Sequence, residues 1–181
     1  MGSKYIRSFA LATAIPLIIL LLMTVAPVMT LLFGSVIYIN TEPYDPRDLF
    51  RGDHVVLNYK INNIEASKLS KDLAAKLEGK SYLAVKNKKL YALLKKEDSS
   101  YDIDYLTDKK PINGIYLKCR LEYYNPGSQI LRVDYNLDKY FVPENTGKAL
   151  EDMSRSGELT ARIKVFHGYA LLVEVLKQSD I

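Results

Sequence analysis

The chain has 181 residues, with 25 basic and 21 acidic side chains, 48% hydrophobic residues and one cysteine. This composition excludes a disulfide-stapled miniprotein and a disordered polypeptide. Residues 8–39 contain no Asp, Glu, Lys or Arg, whereas residues 41–181 carry 23 basic and 21 acidic side chains. Residues 41–181 therefore lack the concentrated basic footprint that nucleic-acid binding requires, and they are numerous enough to form the core of one domain.

The uncharged run at residues 8–39 predicts a single membrane-spanning helix. About 18 apolar residues suffice for one span, whereas two spans need roughly 40 residues and a turn. Residues 1–7 form a short basic tail, but the run that follows exceeds the roughly 7–15 apolar residues of a cleaved signal peptide. We therefore expect an uncleaved signal anchor in the plasma membrane.

The orientation of this anchor follows only weakly from charge. The Lys and Arg counts on its two sides are almost equal, and this count is what normally sets topology. A short tail followed by a long folded domain is the usual layout of a signal anchor. We therefore expect a cytoplasmic N-terminus and an extracytoplasmic C-terminal domain.

Two prolines and alternating charges predict a stiff, charged neck at residues 40–52. An Arg–carboxylate fork among its side chains would fix the neck where the anchor meets the domain. Alternatively, the same charges form a recognition patch for lipid headgroups or a neighbouring membrane protein. The residues of this structural or recognition neck are Asp45, Arg47, Asp48, Arg51, Gly52 and Asp53.

Residues 53–181 predict a β-rich α+β domain of antiparallel hairpins with two short helices. Period-two alternation predicts a strand at residues 54–61, and helical spacing predicts a helix at residues 63–79. A second short helix is expected at residues 144–153. Turn signals between alternating segments predict three hairpins. Their strands are residues 82–85 with 90–94, 115–123 with 130–135, and 159–165 with 169–176.

Residues with catalytic chemistry are few. His54 on a strand face and His167 in a tight turn lie in no recognised catalytic signature, so we expect surface histidines. A serine–lysine dyad of the signal-peptidase kind needs a serine soon after the anchor, and none occurs between Ser35 and Gly52. One cysteine and two distant histidines provide no zinc-ligand spacing. We therefore expect no catalytic residue, no bound metal and no cofactor.

Two groups of carboxylates have the oxygen ligands that calcium prefers. Neither group has the glycine and terminal glutamate of the helix–loop–helix calcium loop, so we interpret both as solvated acids. The groups are Asp102 with Asp104, and Glu42 with Asp45, Asp48 and Asp53.

Residues 45–59, DPRDLFRGDHVVLNY, resemble the signature of the GDYXXLXY protein family, with His54 where the family name has tyrosine. Residues 134–151 resemble the family's Tyr-Phe-Val-Pro-Glu-Gly-x-Gly segment, with Asn145 in place of a glycine. The matching residues of this second segment are Tyr140, Phe141, Val142, Pro143, Glu144 and Gly147. A shorter match follows at residues 168–172.

This resemblance implies a bacterial membrane-anchored protein of unknown function with an extracytoplasmic domain. Family members are often encoded beside multi-pass membrane proteins, so it implies such a partner in addition to the lipid bilayer. It implies no catalytic residues. We expect a non-catalytic accessory or interaction subunit of a membrane complex, and a membrane-tethered hydrolase or small-ligand-binding domain is the alternative.

Overall fold

The fold is that of a computed structural model, which describes residues 2–42, 54–77, 86–125, 127–137, 139–141 and 159–178. Side chains are described for these residues except 2–8, 10–11, 54–56 and 139–141. Three predicted features lie largely outside the described residues. They are the charged neck from residue 43 onward, the strand at residues 82–85 and the helix at residues 144–153.

Helix α1 (Gly2–Phe33) contains the apolar segment Ala12–Phe33, which is long and apolar enough to cross a membrane. Only 6% of its most apolar window is buried against the rest of the chain. At about 1.5 Å per residue the segment is about 33 Å long, close to the roughly 30 Å of a bilayer's hydrocarbon core. The helix is compatible with a single-pass anchor or with a signal sequence.

The uncharged run does not continue as one helix. Helix α1 ends at Phe33, and after Gly34 the chain enters strand β1 (Ser35–Glu42). The predicted span at residues 8–39 is therefore too long at its C-terminal end, and the predicted neck at residues 40–52 does not separate the helix from the domain. The physical reason is burial, since Ile37 and Ile39 are 0% and 1% exposed in the domain core. A buried strand is as free of charge as a membrane span.

The first sheet has four antiparallel strands around β1. In spatial order they are β11 (Tyr169–Lys177), β10 (Leu159–Phe166), β1 and β3 (Asn58–Tyr59). Strand β1 is thus an inner strand that follows the helix directly. The predicted hairpin around His167 and Gly168 is confirmed as β10 and β11.

The second sheet has five strands, all paired antiparallel. In spatial order they are β4 (Asn63–Glu65), β8 (Ile130–Asp134), β7 (Tyr116–Asn125), β5 (Lys89–Glu97) and β6 (Ser100–Thr107). The predicted hairpin of β7 and β8 is confirmed. The Asn125 side-chain oxygen accepts a hydrogen bond from the Gly127 amide at 2.9 Å, which is how an asparagine favours a turn.

Two sequence-based elements differ from the structure. The helix predicted at residues 63–79 begins instead as strand β4 and continues as a 3-10 turn at Ala66–Lys68. Among the described residues, α-helix in this stretch is confined to α2 (Lys71–Leu77). The strand predicted at residues 54–61 divides into β2 (His54–Val56) and β3, because the two halves pair with different strands. Both boundaries depend on partners that are distant in sequence.

The predicted hairpin of residues 82–85 with 90–94 stays a prediction, because residues 82–85 lie outside the described part. Residues 90–94 lie in β5, whose hairpin partner among the described strands is β6, a strand that sequence analysis did not predict. Residues 101–105 alternate aromatic or apolar side chains with Asp102 and Asp104, so a strand signal was available in β6 and was not used. The remaining strand, β9 (Lys139–Phe141), pairs with β2 in a separate two-stranded sheet.

One hydrophobic core joins the two larger sheets. Ile37 of β1 and Ile163 of β10 belong to the same cluster as Leu117 and Leu121 of β7, and all four are fully buried. Burial of each such side chain contributes about 1.5–3 kcal/mol. The β-rich antiparallel fold class with two helices and an N-terminal apolar helix is therefore confirmed.

Candidate interaction site

Helix α1 enters the domain through a tight junction at Gly34. The Gly34 amide donates a hydrogen bond to the Thr30 carbonyl at 2.9 Å. A Cβ atom on Gly34 would lie 2.3 Å from the Thr30 oxygen and 3.2 Å from the backbone nitrogen of Val165. The junction therefore brings the helix end and strand β10 closer together than any residue except glycine permits.

Strand β10 also holds the last turn of α1 through two side chains. The Lys164 ammonium donates to the Leu31 carbonyl, one of the carbonyls that a helix C-terminus leaves without an intrahelical partner. A cation there is also favoured by the helix dipole. The rings of Phe33 and Phe166 lie 6.4 Å apart. These contacts fix the orientation of the domain relative to the helix.

The turn between β10 and β11 is held against β7. The Gly168 carbonyl accepts a hydrogen bond from the Lys118 amide at 2.9 Å. Gly168 has φ +77°, and a Cβ atom there would lie 2.4 Å from the ring of Tyr116. His167, also in this turn, is exposed, as predicted. The side chain of the other histidine, His54, lies outside the described part.

A groove of about 550 Å³ runs over the outer face of the five-stranded sheet. Strands β5, β7 and β8 supply its wall and contribute mainly polar side chains. Its polar and aromatic lining residues include Lys89, Tyr91, Lys118, Arg120, Asp134 and Asn136. Sequence analysis did not identify this groove. The alternation in β7 was an available signal, because it places Lys118, Arg120 and Glu122 on one face.

The charges in this groove are unbalanced. Lys89 and Arg120 are directly opposite each other on β5 and β7. Like charges in this arrangement repel each other and destabilise the strand pair. Asp134 is opposite Arg120 on β8. Within the described part of the chain, neither Lys89, Lys118 nor Arg120 forms an ion pair. The groove can therefore accept an anionic group.

The carboxylates that sequence analysis weighed as calcium ligands and interpreted as solvated acids differ in the structure: Asp104 is exposed, whereas Asp102 and Glu42 contact protein groups. Asp102 pairs with the Lys68 ammonium at 3.0 Å. The Glu42 carboxylate accepts from the amides of Asn58 at 3.1 Å and Asn63 at 3.4 Å. Among the described residues, no group of three or more His, Cys, Asp or Glu side chains is placed to hold a metal ion. The other acids of the Glu42 group lie outside these residues.

Cys119, the only cysteine of the chain, lies in the core of the second sheet and is 4% exposed. Burial raises the pKa of its thiol, and the nearby charge of Asp134 adds to this effect. Nucleophilic chemistry needs the thiolate. The position of Cys119 therefore suits a packing residue and not a nucleophile.

The structure brings together the two segments that the sequence singled out. Strand β2 pairs with β9, so that His54 lies opposite Phe141 and Val55 opposite Tyr140. Outside the described part lie the predicted neck residues Asp45, Arg47, Asp48, Arg51, Gly52 and Asp53. So do Val142, Pro143, Glu144 and Gly147 of the second segment.

Beyond β2 and β9, buried polar groups join the same two segments. The Tyr59 hydroxyl donates to the Leu137 carbonyl at 2.7 Å, and the Tyr135 hydroxyl donates to the Ile61 carbonyl at 2.9 Å. The Asn62 side chain accepts from the Tyr59 amide at 2.8 Å and donates to the Val133 carbonyl at 2.9 Å. These bonds satisfy backbone groups where β3 gives way to a 3-10 turn at Lys60–Asn62.

A family model described as GDYXXLXY protein matches residues 16–175. The chain belongs to this family. No curated protein and no solved structure matches the chain.

The GDYXXLXY signature aligns with residues 52–59, and its described second half is structural. The leucine of the family name corresponds to Leu57 and its last tyrosine to Tyr59, which are 3% and 1% exposed. Leu57 packs in the core, and Tyr59 makes the hydrogen bond to Leu137. Leu57 and Tyr59 of the signature therefore hold the fold together.

Proposed function

We propose that the protein is a non-catalytic accessory or interaction subunit of a membrane complex. In this proposal α1 spans the plasma membrane once, with its N-terminus in the cytoplasm and the β-rich domain outside. The partner is a multi-pass membrane protein. The observation that carries the proposal is the one-residue connection at Gly34 between α1 and the inner strand β1.

This connection gives the domain one orientation relative to the helix, because Lys164 and Phe166 also contact the last turn of α1. A partner that packs against α1 in the bilayer would then meet the domain already oriented. Preorganisation of this kind lowers the entropic cost of the second contact. An enzyme whose soluble substrate diffuses freely to its active site does not require a fixed angle between its anchor and its domain.

The surface of α1 supports a membrane partner as well. Large apolar side chains are exposed along its length, from Ile15 at 56% to Leu32 at 68%. Thr24 and Thr30 donate their hydroxyls to carbonyls of the same helix, those of Leu21 and Ala26. The helix therefore offers an apolar surface that suits lipid chains and the spans of a multi-pass protein.

An insertion at the junction tests this proposal. A flexible Gly-Ser segment between Gly34 and Ser35 breaks the fixed orientation, whereas the same segment between Gly127 and Ser128 enters an exposed turn. Membranes carrying each form of the full chain are crosslinked, extracted in mild detergent and analysed by mass spectrometry. We expect a multi-pass protein in stoichiometric yield with the unmodified chain and the turn insertion, and its loss with the junction insertion.

Two results would contradict the proposal. One is recovery of the same partner in equal yield with the junction insertion. The other is a solitary protein that turns over a substrate. Orientation is tested separately by a C-terminal alkaline phosphatase fusion, which we expect to be active because that enzyme needs the oxidising exterior. An inactive fusion would place the domain in the cytoplasm.

A second candidate function, binding of a small anionic ligand, is favoured by one observation: Lys89 lies opposite Arg120 in a groove whose described basic side chains form no ion pair with a described acid. Inorganic phosphate is the simplest probe. If the groove binds anions, phosphate raises the melting temperature of the full chain in detergent, and Arg120→Glu removes that increase. The control is Lys110→Glu, which changes the net charge equally at an exposed position outside the groove.

A further inference from the structure

Four apolar or aromatic side chains lie together where α1 meets the first sheet. We call them the membrane rim: Phe33, Val36, Phe166 and Tyr169. Phe33 packs near Phe166 at 6.4 Å between ring centres, and Phe166 lies directly opposite Tyr169 in the hairpin. Val36 lies opposite Lys164, which is two residues before Phe166 and so on the same face of β10. The four side chains therefore lie at one end of the sheet, where α1 joins it.

The rim is exposed although it is apolar. Phe33 is 64% exposed, Val36 45% and Tyr169 37%. Their surface continues that of α1, in which Leu32 is 68% exposed. Contiguous apolar surface of this kind marks a contact with another protein or with a membrane. Because the rim continues from the helix that suits lipid, the bilayer is the occupant that the geometry favours.

Helix length sets the depth of the rim. The apolar segment ends at Phe33, so a helix that fills the hydrocarbon core brings Phe33 to its boundary. Val36 follows three residues later, within about 10 Å at 3.3 Å per strand residue. The headgroup region begins at this depth, and aromatic side chains are enriched there.

We propose that the turn between β10 and β11 is a second membrane contact, in which the membrane rim lies in the headgroup region and the four-stranded sheet stands on the bilayer. This inference rests on the proposed function in one respect, namely that α1 spans the membrane. The turn cannot swing away as an independent loop, because the Gly168 carbonyl is bonded to the Lys118 amide. The domain is then attached at two points, which fixes its tilt.

The absence of tryptophan from the chain permits a direct test. The full chain carrying Tyr169→Trp is placed in lipid nanodiscs that contain phospholipids brominated in the upper part of their acyl chains. Bromine quenches tryptophan only at short range. We expect the emission of Tyr169→Trp to shift to shorter wavelength and to be quenched by these lipids.

Tyr123→Trp is the matched control, since Tyr123 is 45% exposed but lies at the other end of the domain. It is opposite Arg132, which bonds to Asn58, which in turn bonds to Glu42 at the far end of β1. We expect no quenching at this position. Leu22→Trp, in the middle of the apolar segment, is the second control and reports whether α1 spans the bilayer.

The three tryptophan positions distinguish a membrane-bound rim from a membrane-spanning α1 alone. Quenching of Leu22→Trp and Tyr169→Trp, but not of Tyr123→Trp, supports the membrane rim. Quenching of Leu22→Trp alone overturns the rim while leaving the anchor intact, and the rim would then be a surface for protein. If Leu22→Trp is not quenched by lipids brominated near the chain ends, the span and the rim both fail.

Discussion

Tyr59 and Tyr135 hold two distant segments together by a reciprocal exchange of hydrogen bonds. Each hydroxyl donates to the backbone carbonyl two residues after the other tyrosine, Tyr59 to Leu137 and Tyr135 to Ile61. Both side chains are buried, at 1% and 7% exposure. Burial raises the pKa of the Tyr135 hydroxyl, which favours the protonated form that donates this bond. The pair joins the family signature to the segment after β8.

Loss of either hydroxyl should destabilise the fold. Tyr59→Phe and Tyr135→Phe each leave a buried carbonyl without its donor, which costs about 1–3 kcal/mol. We expect the double variant to lose less than the sum, because both bonds join the same segments and water reaches the second carbonyl once the first bond is absent. Urea unfolding of the full chain in detergent measures all three variants. Tyr105→Phe, at a 37% exposed position, is the control, and strictly additive losses would contradict the reciprocal role.

The junction glycine gives a steric prediction. Gly34→Ala places a Cβ atom 2.3 Å from the Thr30 carbonyl oxygen of α1 and 3.2 Å from the Val165 nitrogen of β10, so residue 34 must shift away from both. Because backbone atoms cannot rotate away as a side chain can, we expect a loss of roughly 2 kcal/mol or more, in the range of severe core substitutions.

Limited proteolysis of the full chain measures this effect as faster cleavage near residues 33–36. Gly127→Ala is the matched control, because its Cβ atom would meet only the Asn125 side chain, at 3.3 Å. Cleavage of Gly34→Ala at the unmodified rate, equal to that of Gly127→Ala, would mean that the junction yields easily. The junction would then not fix the orientation of the domain, and the proposed function would lose its main support.

Local chemistry decided how much of the fold the sequence predicted. The hairpins β7–β8 and β10–β11 were predicted because their turns carry Asn125, Gly127 and Gly168 between alternating strands. Strand β1 was missed because an inner strand and a membrane span share the same uncharged composition. Strand β6 was missed although Tyr101, Ile103 and Tyr105 alternate with two acids and β5 lies directly before it. Only for β1 was the deciding information a partner distant in sequence, strand β10.

The candidate site was less predictable than the fold. Sequence analysis placed the candidate site in the neck at residues 40–52, between the predicted helix and the predicted domain. In the structure, the domain begins at Ser35, before the neck. The junction contacts of Lys164 and Phe166 with α1 could not be predicted, because they join residues more than a hundred positions apart. The pairing of β1 with β10 creates them, and no local pattern reports that pairing.

Asp108 should make stability depend on pH in acid. The Lys76 ammonium, hydrogen-bonded to it at 2.6 Å, holds the pKa of this carboxyl below its ordinary value; burial opposes the effect and the charge of Lys88 supports it. A depressed folded-state pKa gives stability that is present above the unfolded value of about 3.9 and is lost as pH falls through the folded value. Below both values the contribution is absent.

We therefore expect Asp108→Asn to be less stable than the unmodified chain at pH 7, by about 1 kcal/mol. This difference should shrink as the pH falls below about 4, because the native carboxyl is then protonated as well. Urea midpoints across this range measure it. Asp104→Asn is the control at an exposed position of β6. A difference that stays constant down to the lowest pH would show that Asp108 acts through packing and not through charge.

Cys119 should report opening of the core, because it is the only thiol in the chain and is 4% exposed. Burial raises its pKa, so both access and thiolate content limit its reaction with maleimide. We expect the native full chain in detergent to resist labelling at neutral pH and the urea-unfolded chain to label rapidly. Ser128→Cys in a Cys119→Ala background provides an exposed thiol as the control. Labelling of native Cys119 as fast as this control would contradict the buried position, whereas slow labelling that accelerates with urea measures how often the second sheet opens.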